Sequence, residues 1–311
     1  MGERRHRVRD DPAGRRAADA GRGRQDHATG LLLHQGEARG AGHGVTTSTE
    51  RQTRGYTDIG GHRTWFADSG GTGEPVLLLH GGLSDSELLL DPLGPALADR
   101  FRVVAFDRRG HGRTADTDAP FHYDDMATET VAAIERLIGG PAHLVGWSDG
   151  GIVALLVALR RPNFVRTLVL IGTNYHYDGM MPTGTGHGPP RFIRDRYAER
   201  SPDGDDHFAV VAKKSFAMFA TEPTLTTDDL RKISAPALVM AGDDDLATLA
   251  HTASLYESLP QGQLAVIPGA SHAVIIEKPG LAGRIIGDFL SAPGTPETYF
   301  PVRRRPAAKR A

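Results

Sequence analysis

Short apolar runs alternate with segments of helical spacing over residues 56–290. Continuous runs such as PVLLL (75–79) and VVAF (103–106) predict strands buried on both faces, as in parallel sheets. Residues 56–59 and 64–67 instead predict a hairpin that turns around Gly60 and Gly61. Further strands are predicted at 143–147, 167–171, 237–241 and 264–267.

Helices are predicted between these strands. The clearest covers residues 126–138, where Val131, Ile134 and Ile138 recur at helical spacing before two glycines. Others are predicted at 93–98, 150–160, 207–219, 247–258 and 281–290. Strands that alternate with helices predict an α/β fold, with a mainly parallel sheet covered on both faces.

Three segments fall outside this alternation. Residues 1–44 are rich in Arg, Gly and Ala and lack a hydrophobic period, so we expect a disordered or non-native extension. Our hypothesis is that the native chain begins near Val45, which N-terminal sequencing of native protein tests. Residues 173–235 predict a partly helical insertion, and the Pro-rich, basic residues 292–311 predict a disordered tail. The core is then 45–172 and 236–291.

Composition narrows the function classes. The 311 residues carry 36 Lys+Arg against 38 Asp+Glu, which gives no global attraction to nucleic acid or anionic membrane. The absence of cysteine excludes disulfides and cysteine nucleophiles and fits a cytoplasmic location. Leu31–Leu33 is too short for a signal-peptide core. We expect a small-molecule acyl substrate, no nucleic-acid or membrane partner, no cofactor and no metal; the oligomeric state stays open.

The strongest chemical signal is Gly146-Trp147-Ser148-Asp149-Gly150, a G-x-S-x-G pattern between a predicted strand and a predicted helix. A serine on such a sharp turn stands exposed above the sheet, and small flanking residues relieve crowding. The alternative is a glycine-rich turn with a helix-capping serine, since glycine is abundant here. The position between strand and helix favours a nucleophile.

A serine hydroxyl needs a base, and a base needs an orienting acid. Asp243, Asp244 and Asp245 directly follow a predicted buried strand, and His272 follows the last predicted strand. Both positions lie at the carboxyl edge of the sheet, where open α/β sheets bind ligands. We predict His272 as base and Asp245 as acid, because the last carboxylate has the longest reach. His251 lies within a predicted helix and is interpreted as a surface residue.

A developing oxyanion needs two backbone amides. One is expected from Asp149, directly after the nucleophile, and the other from Gly82 in the loop His80-Gly81-Gly82-Leu83, with Leu83 as the alternative register. His80 is interpreted as support for this loop. Trp147, Leu83 and the Asp149 side chain are candidates for substrate contact.

The chain resembles the α/β-hydrolase superfamily from about residue 56 to 290. The segments that carry this resemblance are LLLHGG (77–82), FDRRGHGRT (106–114), VGWSDGG (145–151), VMAGDDD (239–245) and IPGASHAVIIEKP (267–279). The resemblance implies an eight-stranded, mainly parallel sheet and a small helical cap at 173–235. The family pattern G-x-x-D supports Asp245 over its neighbours.

GWSDGG followed by LVLIGTNYHY looks like the biphenyl-hydrolase-like branch, which includes valacyclovir hydrolase. That likeness implies ester cleavage, with Asp149 reading a cationic amine. The alternative, that Asp149 complements the helix dipole, is favoured because position alone does not orient a side chain.

Ser148 suits acyl transfer at a carbonyl, unlike the aspartate nucleophile of haloalkane dehalogenases and epoxide hydrolases. We therefore expect a serine hydrolase acting on a carboxylic ester. The alternatives are an acyltransferase, a lactone or C–C bond hydrolase on the same triad, and a non-catalytic binding protein on this scaffold.

Overall fold

The computed structural model describes residues 52–181, 189–294 and 296–302. The predictions for residues 1–44 and for a start near Val45 lie outside the described residues. So do those parts of the predicted insertion and tail that fall on residues 182–188, 295 and 303–311.

The described residues form one eight-stranded sheet in the order β1-β2-β4-β3-β5-β6-β7-β8. β1 and β2 pair antiparallel, as do β2 and β4, and all other neighbours are parallel. The sequence-based prediction of a mainly parallel sheet with an initial hairpin is confirmed. The strands are β1 (Thr53–Ile59), β2 (His62–Asp68), β3 (Glu74–Leu79), β4 (Phe101–Phe106), β5 (Ala142–Trp147), β6 (Val165–Ile171), β7 (Ala237–Asp244) and β8 (Gly262–Ser271).

Helices connect the parallel strands, and two more follow β8 among the described residues. They are α1 (Glu87–Leu97), α2 (Tyr123–Ala133), α3 (Asp149–Arg160), α4 (Arg191–Arg200), α5 (Phe208–Phe219), α6 (Thr227–Leu230), α7 (Leu249–Ser258), α8 (Val274–Glu277) and α9 (Pro279–Ser291). α4, α5 and α6 lie between β6 and β7, within the predicted insertion. No helix in the described ranges is both long and apolar enough to cross a bilayer.

Helix α1 begins six residues before the predicted start at residue 93. Pro92 and Pro95 lie inside the helix, and proline is an unfavourable interior residue. The Asp107 carboxylate fixes the start instead, because its Oδ1 accepts hydrogen bonds from the Ser86 amide (2.9 Å) and hydroxyl (2.6 Å). A contact from the loop after β4 therefore outweighs local propensity, which a sequence pattern does not show.

The core lies on both faces of the central strands. Leu77 and Leu78 of β3, Val145 of β5 and Val169 of β6 are completely buried. Helix α3 is buried from Asp149 to Ala158. Because its first turn lies within this packing, the start of α3 is fixed relative to the carboxyl edge of the sheet.

The interpretation of His251 as a surface residue is wrong. Its side chain is 9% exposed, its ring stacks on Tyr175 with centroids 4.0 Å apart, and its Nε2 accepts a hydrogen bond from the Tyr175 amide (3.0 Å). A Cβ on Gly179 would lie 2.3 Å from the His251 ring, so this segment also packs on the imidazole. Burial lowers the pKa of His251 to about 4.

The buried His251 ring should make stability depend on pH. The folded protein favours the neutral ring, so its contribution is complete above the unfolded pKa of about 6.5 and is lost as pH falls towards about 4. The loss should reach at most about 3 kcal/mol, because each pH unit between the folded and unfolded pKa values corresponds to about 1.4 kcal/mol. Urea unfolding of wild type and His251→Gln at pH 7.0 and 4.5 measures it. The variant should lose less unfolding free energy over this interval, and an equal loss would contradict the burial argument.

Candidate active site

Ser148 occupies a strained turn at the carboxyl end of β5. Its backbone lies at φ 54° and ψ −118°, in a region that non-glycine residues seldom adopt at a cost of about 1–3 kcal/mol. The Ser148 amide donates a hydrogen bond to the Ile171 carbonyl (2.8 Å), and the next residue begins α3. The serine side chain is therefore directed to the sheet edge at a helix N-terminus, where unpaired amides favour negative charge.

Close backbone packing around this turn requires glycine on both sides of the serine. A Cβ on Gly146 would lie 2.3 Å from the Gly150 carbonyl, and a Cβ on Gly150 would lie 1.9 Å from the Leu79 oxygen. Both distances are far inside van der Waals contact, and the atoms met are backbone. The two glycines of the sequence motif thus have a steric reason, which the pattern alone predicted only in general terms.

His272 and Asp245 meet at the same edge of the sheet. The Nδ1 atom of His272 lies 2.7 Å from Asp245 Oδ1, and the Asp245 side chain is fully buried. The Asp245 carboxylate also accepts hydrogen bonds from the amides of Gly242 and Ala247, both at 3.2 Å. These bonds hold the carboxylate facing the ring. A neutral His272 then carries its proton on Nδ1 and presents Nε2 as an acceptor.

The other two aspartates of the loop point elsewhere. Asp243 is exposed and accepts a hydrogen bond from the Ala270 amide (3.2 Å), and backbone hydrogen bonds from Gly269 and Ala270 lower its pKa. Asp244 is exposed at the end of β7. Of the three carboxylates, only that of Asp245 is hydrogen-bonded to the imidazole.

Trp147 links the serine turn to the histidine loop. Its indole Nε1 donates to the His272 carbonyl (2.8 Å), and the two rings lie 5.7 Å apart between centroids. A Cβ on Gly172 would lie 2.9 Å from His272 Nδ1, so the ring also packs on the turn after β6. Among the hydrogen bonds of the described residues, none joins Ser148 Oγ to His272. Such bonds often tighten only when substrate binds.

The loop after β3 packs against the serine turn. A Cβ on Gly81 would lie 3.4 Å from Ser148 Cβ, and one on Gly82 would lie 2.5 Å from Asp149 Oδ2. Leu83, the next residue, is buried and has a positive φ of 57°. Within the described parts of the chain, the amides of Gly82, Leu83 and Asp149 donate no hydrogen bond to another residue. The amides of Gly82 and Leu83 are therefore free to bind an anion, and the Asp149 amide donates to its own carboxylate.

The Asp149 side chain is buried inside the site. It is 5% exposed, and its Oδ1 accepts a hydrogen bond from the Tyr123 hydroxyl (2.9 Å). Burial raises the pKa of the Asp149 carboxyl, and the Arg108 guanidinium opposes that change. The helix-dipole interpretation alone does not account for this location, because a dipole contact needs neither burial nor a tyrosine partner.

Sequence reasoning missed Arg108 and Tyr123. Arg108 is 1% exposed, and its Nη2 donates to the Gly81 carbonyl (3.1 Å). Tyr123, at the start of α2, is 3% exposed, and burial together with the Asp149 charge raises its pKa well above the usual value. Arg108 lies within FDRRGHGRT (106–114), which contributed only to the family resemblance, and nothing near Tyr123 in the sequence points to Asp149. No cluster of potential metal ligands occurs among the residues that the structure describes.

The sheet order, the serine turn and the histidine–aspartate pair define a fold and site that match a known family. The model of the alpha/beta hydrolase family matches residues 76–282, so the chain belongs to that family.

Two relatives and one solved structure are among the proteins that are similar to this chain. "Putative carbamate hydrolase RutD" of Variovorax paradoxus is 32% identical over 254 residues, covering 72% of this chain and 95% of the relative. Serine hydrolase BPHL of Homo sapiens is 27% identical and covers 75% and 84%, respectively. A crystallised serine hydrolase of carbazole degradation, CarC, superposes with a TM-score of 0.65 at 24% identity, covering 78% and 99%. At that identity the superposition shows the shared fold alone.

An added methyl group at Gly150 should lower the free energy of unfolding by a large amount. Gly150→Ala would place a Cβ 1.9 Å from the Leu79 oxygen, so strand β3 and helix α3 must separate. We expect a cost of about 3 kcal/mol or more, above ordinary overpacking. Gly94→Ala is the matched control, because Gly94 lies in helix α1 with open space around it and alanine should gain up to about 1 kcal/mol. Chemical unfolding compares the two, and equal stability of both variants would contradict the analysis.

Proposed function

We propose that this chain is a serine hydrolase of carboxylic esters that works through an acyl-enzyme, with Ser148 as nucleophile, His272 as base and Asp245 as acid. The observation that carries the proposal is the 2.7 Å bond between buried Asp245 and His272 at the edge where the strained Ser148 turn ends. The three residues follow β5, β7 and β8. These strands belong to one run of four adjacent strands in the sheet, β5-β6-β7-β8.

In the proposed cycle, Ser148 Oγ attacks the carbonyl carbon while its proton passes to His272 Nε2. The Asp245 carboxylate stabilises the resulting imidazolium through the Nδ1 bond. The carbonyl π pair moves onto oxygen to form the tetrahedral oxyanion. We assign the amides of Gly82 and Asp149 as its donors, since both belong to segments packed at the turn and neither donates to another described residue.

Collapse of the oxyanion expels the alcohol, which takes the proton from His272 Nε2. Water then attacks the acyl-enzyme as His272 accepts its proton, and a second collapse returns that proton to Ser148 Oγ and releases the acid. Each turnover consumes one ester and one water. His272 passes the first proton to the alcohol and the second to Ser148 Oγ.

We further propose residues 45–172 and 236–291 as the catalytic core and 173–235 as its cap. A Cβ on Gly82 would lie 2.7 Å from Phe219 Cζ, so a side chain of α5 covers the oxyanion loop. Arg196 of α4 forms a bidentate pair with buried Asp85 at 2.7 and 2.8 Å. The cap is thus held on the loops that carry the site, and its Phe219 ring favours an apolar acyl or aryl group, with Trp147 and Leu83 as further candidate contacts.

Loss of any triad group should reduce hydrolysis of p-nitrophenyl acetate. Ser148→Ala and His272→Ala should each lower kcat/KM by roughly 10³-fold or more, because the hydroxyl loses its activation. Asp245→Asn should cost a comparable factor, since an amide cannot stabilise the imidazolium. Steady-state kinetics with circular dichroism as a folding check measures these effects.

Exposed residues of the same types provide matched controls. Ser234→Ala and Asp244→Asn alter groups that the structure leaves at the surface, and both should retain activity within about two-fold. A folded Ser148→Ala with wild-type turnover, or a fluorophosphonate adduct on another residue, would overturn the assignment.

A narrower substrate class follows from the location of Asp149. Its carboxylate lies beside Gly82 and Phe219, where the acyl part of a substrate would bind. A buried carboxylate pairs strongly with an ammonium group, so esters of α-amino acids are a second candidate class. Human BPHL, named a serine hydrolase, is one of the relatives of this chain.

The two classes are separated by comparing p-nitrophenyl esters of valine and of isovaleric acid, which differ by the amine. If Asp149 reads the amine, wild type should prefer the valine ester by at least about ten-fold, and Asp149→Asn should abolish that preference. Asp125→Asn, at an exposed position of α2, is the charge-matched control. A preference that persists in Asp149→Asn would contradict the amine-reading role and leave the simple ester class.

A further inference from the structure

Three side chains surround one carbonyl oxygen behind the proposed oxyanion loop. The Gly81 oxygen lies 3.1 Å from Arg108 Nη2, 3.0 Å from Ser84 Oγ and 2.7 Å from His80 Nδ1. Arg108, Ser84 and His80 are all buried, at 5% exposure or less. A carbonyl oxygen has two lone pairs, so three donors fill its capacity to accept hydrogen bonds and fix its direction.

The tautomer of His80 follows from its second nitrogen. The Arg108 amide donates to His80 Nε2 at 3.1 Å, so Nε2 is unprotonated and the ring proton lies on Nδ1. The Nδ1–H group therefore donates to the Gly81 oxygen. Burial and the neighbouring Arg108 charge lower the pKa of His80 well below its usual value, in keeping with a neutral ring.

Because the Gly81–Gly82 peptide is planar, the hydrogen bonds to the Gly81 oxygen also orient the Gly82 amide. The Gly81 carbonyl and the Gly82 N–H belong to one trans peptide unit, in which the two groups point in opposite directions. Donors that fix the oxygen on the interior side thus direct the Gly82 N–H to the side of Ser148 and Asp149. Donation to a carbonyl also polarises its peptide and strengthens the N–H as a donor.

We infer that Arg108, Ser84 and His80 are positioning residues that hold and polarise the Gly81–Gly82 peptide so that the Gly82 amide stabilises the oxyanion. The inference rests on the proposed function and deepens it. The three side chains act through the peptide, since each is hydrogen-bonded to the Gly81 oxygen.

Arg108 also balances a charge next to the oxyanion. The Asp149 carboxylate lies in the same buried site, and its charge opposes the lowering of the Arg108 pKa by burial. An unbalanced carboxylate would repel the negative charge that develops on the substrate oxygen. A buried guanidinium stays protonated, so Arg108 offsets that repulsion while it donates to Gly81.

The experiment combines substitution with a probe of the oxyanion site. Ser84→Ala removes one donor without a change of charge, and we expect kcat for p-nitrophenyl acetate to fall roughly ten-fold with KM within two-fold. Ser84→Thr, which retains the hydroxyl, should recover most of kcat. Arg108→Met should lower kcat roughly 100-fold, Arg108→Lys less, and Asp149→Asn added to Arg108→Met should restore part of the loss.

The specific readout is inhibition by phenyl trifluoromethyl ketone, which forms an oxyanion with a serine nucleophile, compared with acetophenone. In Ser84→Ala and Arg108→Met, Ki for the fluorinated ketone should rise in parallel with the fall of kcat/KM, and Ki for acetophenone should stay within two-fold. A general loss of structure would weaken both inhibitors and lower Tm.

Arg102→Met is the matched control, because Arg102 pairs with Asp68 far from the site and should leave both inhibition constants unchanged. If Arg108→Met does not fold, Ser84→Ala decides alone. Unchanged kcat and ketone affinity in Ser84→Ala would overturn the inference while the triad stands. An active Ser148→Ala would instead remove the proposed function itself.

Discussion

The site depends on one backbone constraint, the left-handed conformation of Ser148. A serine at φ 54° persists only where its surroundings leave no alternative. Here the surroundings are the Ile171 carbonyl, which fixes the amide, and the backbone of Gly146 and Gly150, which admits no side chain. The strain is maintained by the central strands and by α3, whose burial supplies the stabilising energy. The proposed nucleophile is thus held in place by the buried central strands and by α3.

Next to that turn lie two buried carboxylates, and each has partners that compensate its charge. Asp245 is buried with two amide donors and the imidazole, and Asp149 is buried with a tyrosine hydroxyl and a nearby guanidinium. Neither carboxylate is left without compensation, which is the condition for a buried ion. The two acids differ in their partners, since Asp245 faces the His272 ring and Asp149 faces the Tyr123 hydroxyl.

The sequence predicted those parts of the fold and site that short-range patterns encode. Continuous apolar runs located the strands, and G-x-S-x-G located the turn, because residues 146–150 meet each other directly. Asp245 and His272 could be predicted from the sequence because each follows a recognisable strand at the same edge of the sheet. Their hydrogen bond agrees with that expectation, although the catalytic roles stay predictions.

The missed features depend on contacts between distant segments. The residues next to His251 in the sequence do not show that Tyr175 and Gly179 pack on its ring. Those next to Ser86 do not show that Asp107 fixes the start of α1, a helix with two prolines in its interior. Arg108 and Tyr123 reach the site from the loop after β4 and from α2, which only the folded sheet order brings together. Pattern reasoning treats such residues as local, whereas their roles are set by tertiary packing.

The position of β8 has a consequence for biosynthesis. Among the strands of the described residues, β8 is the last to leave the ribosome, and it forms an edge of the sheet next to β7. Ser148 and the loop 80–83, by contrast, follow strands translated much earlier, which can pair while the C-terminal part is still being made. His272, the proposed base, is therefore the last of these groups to reach the site, so a nascent chain that ends before residue 272 carries the proposed nucleophile without its base.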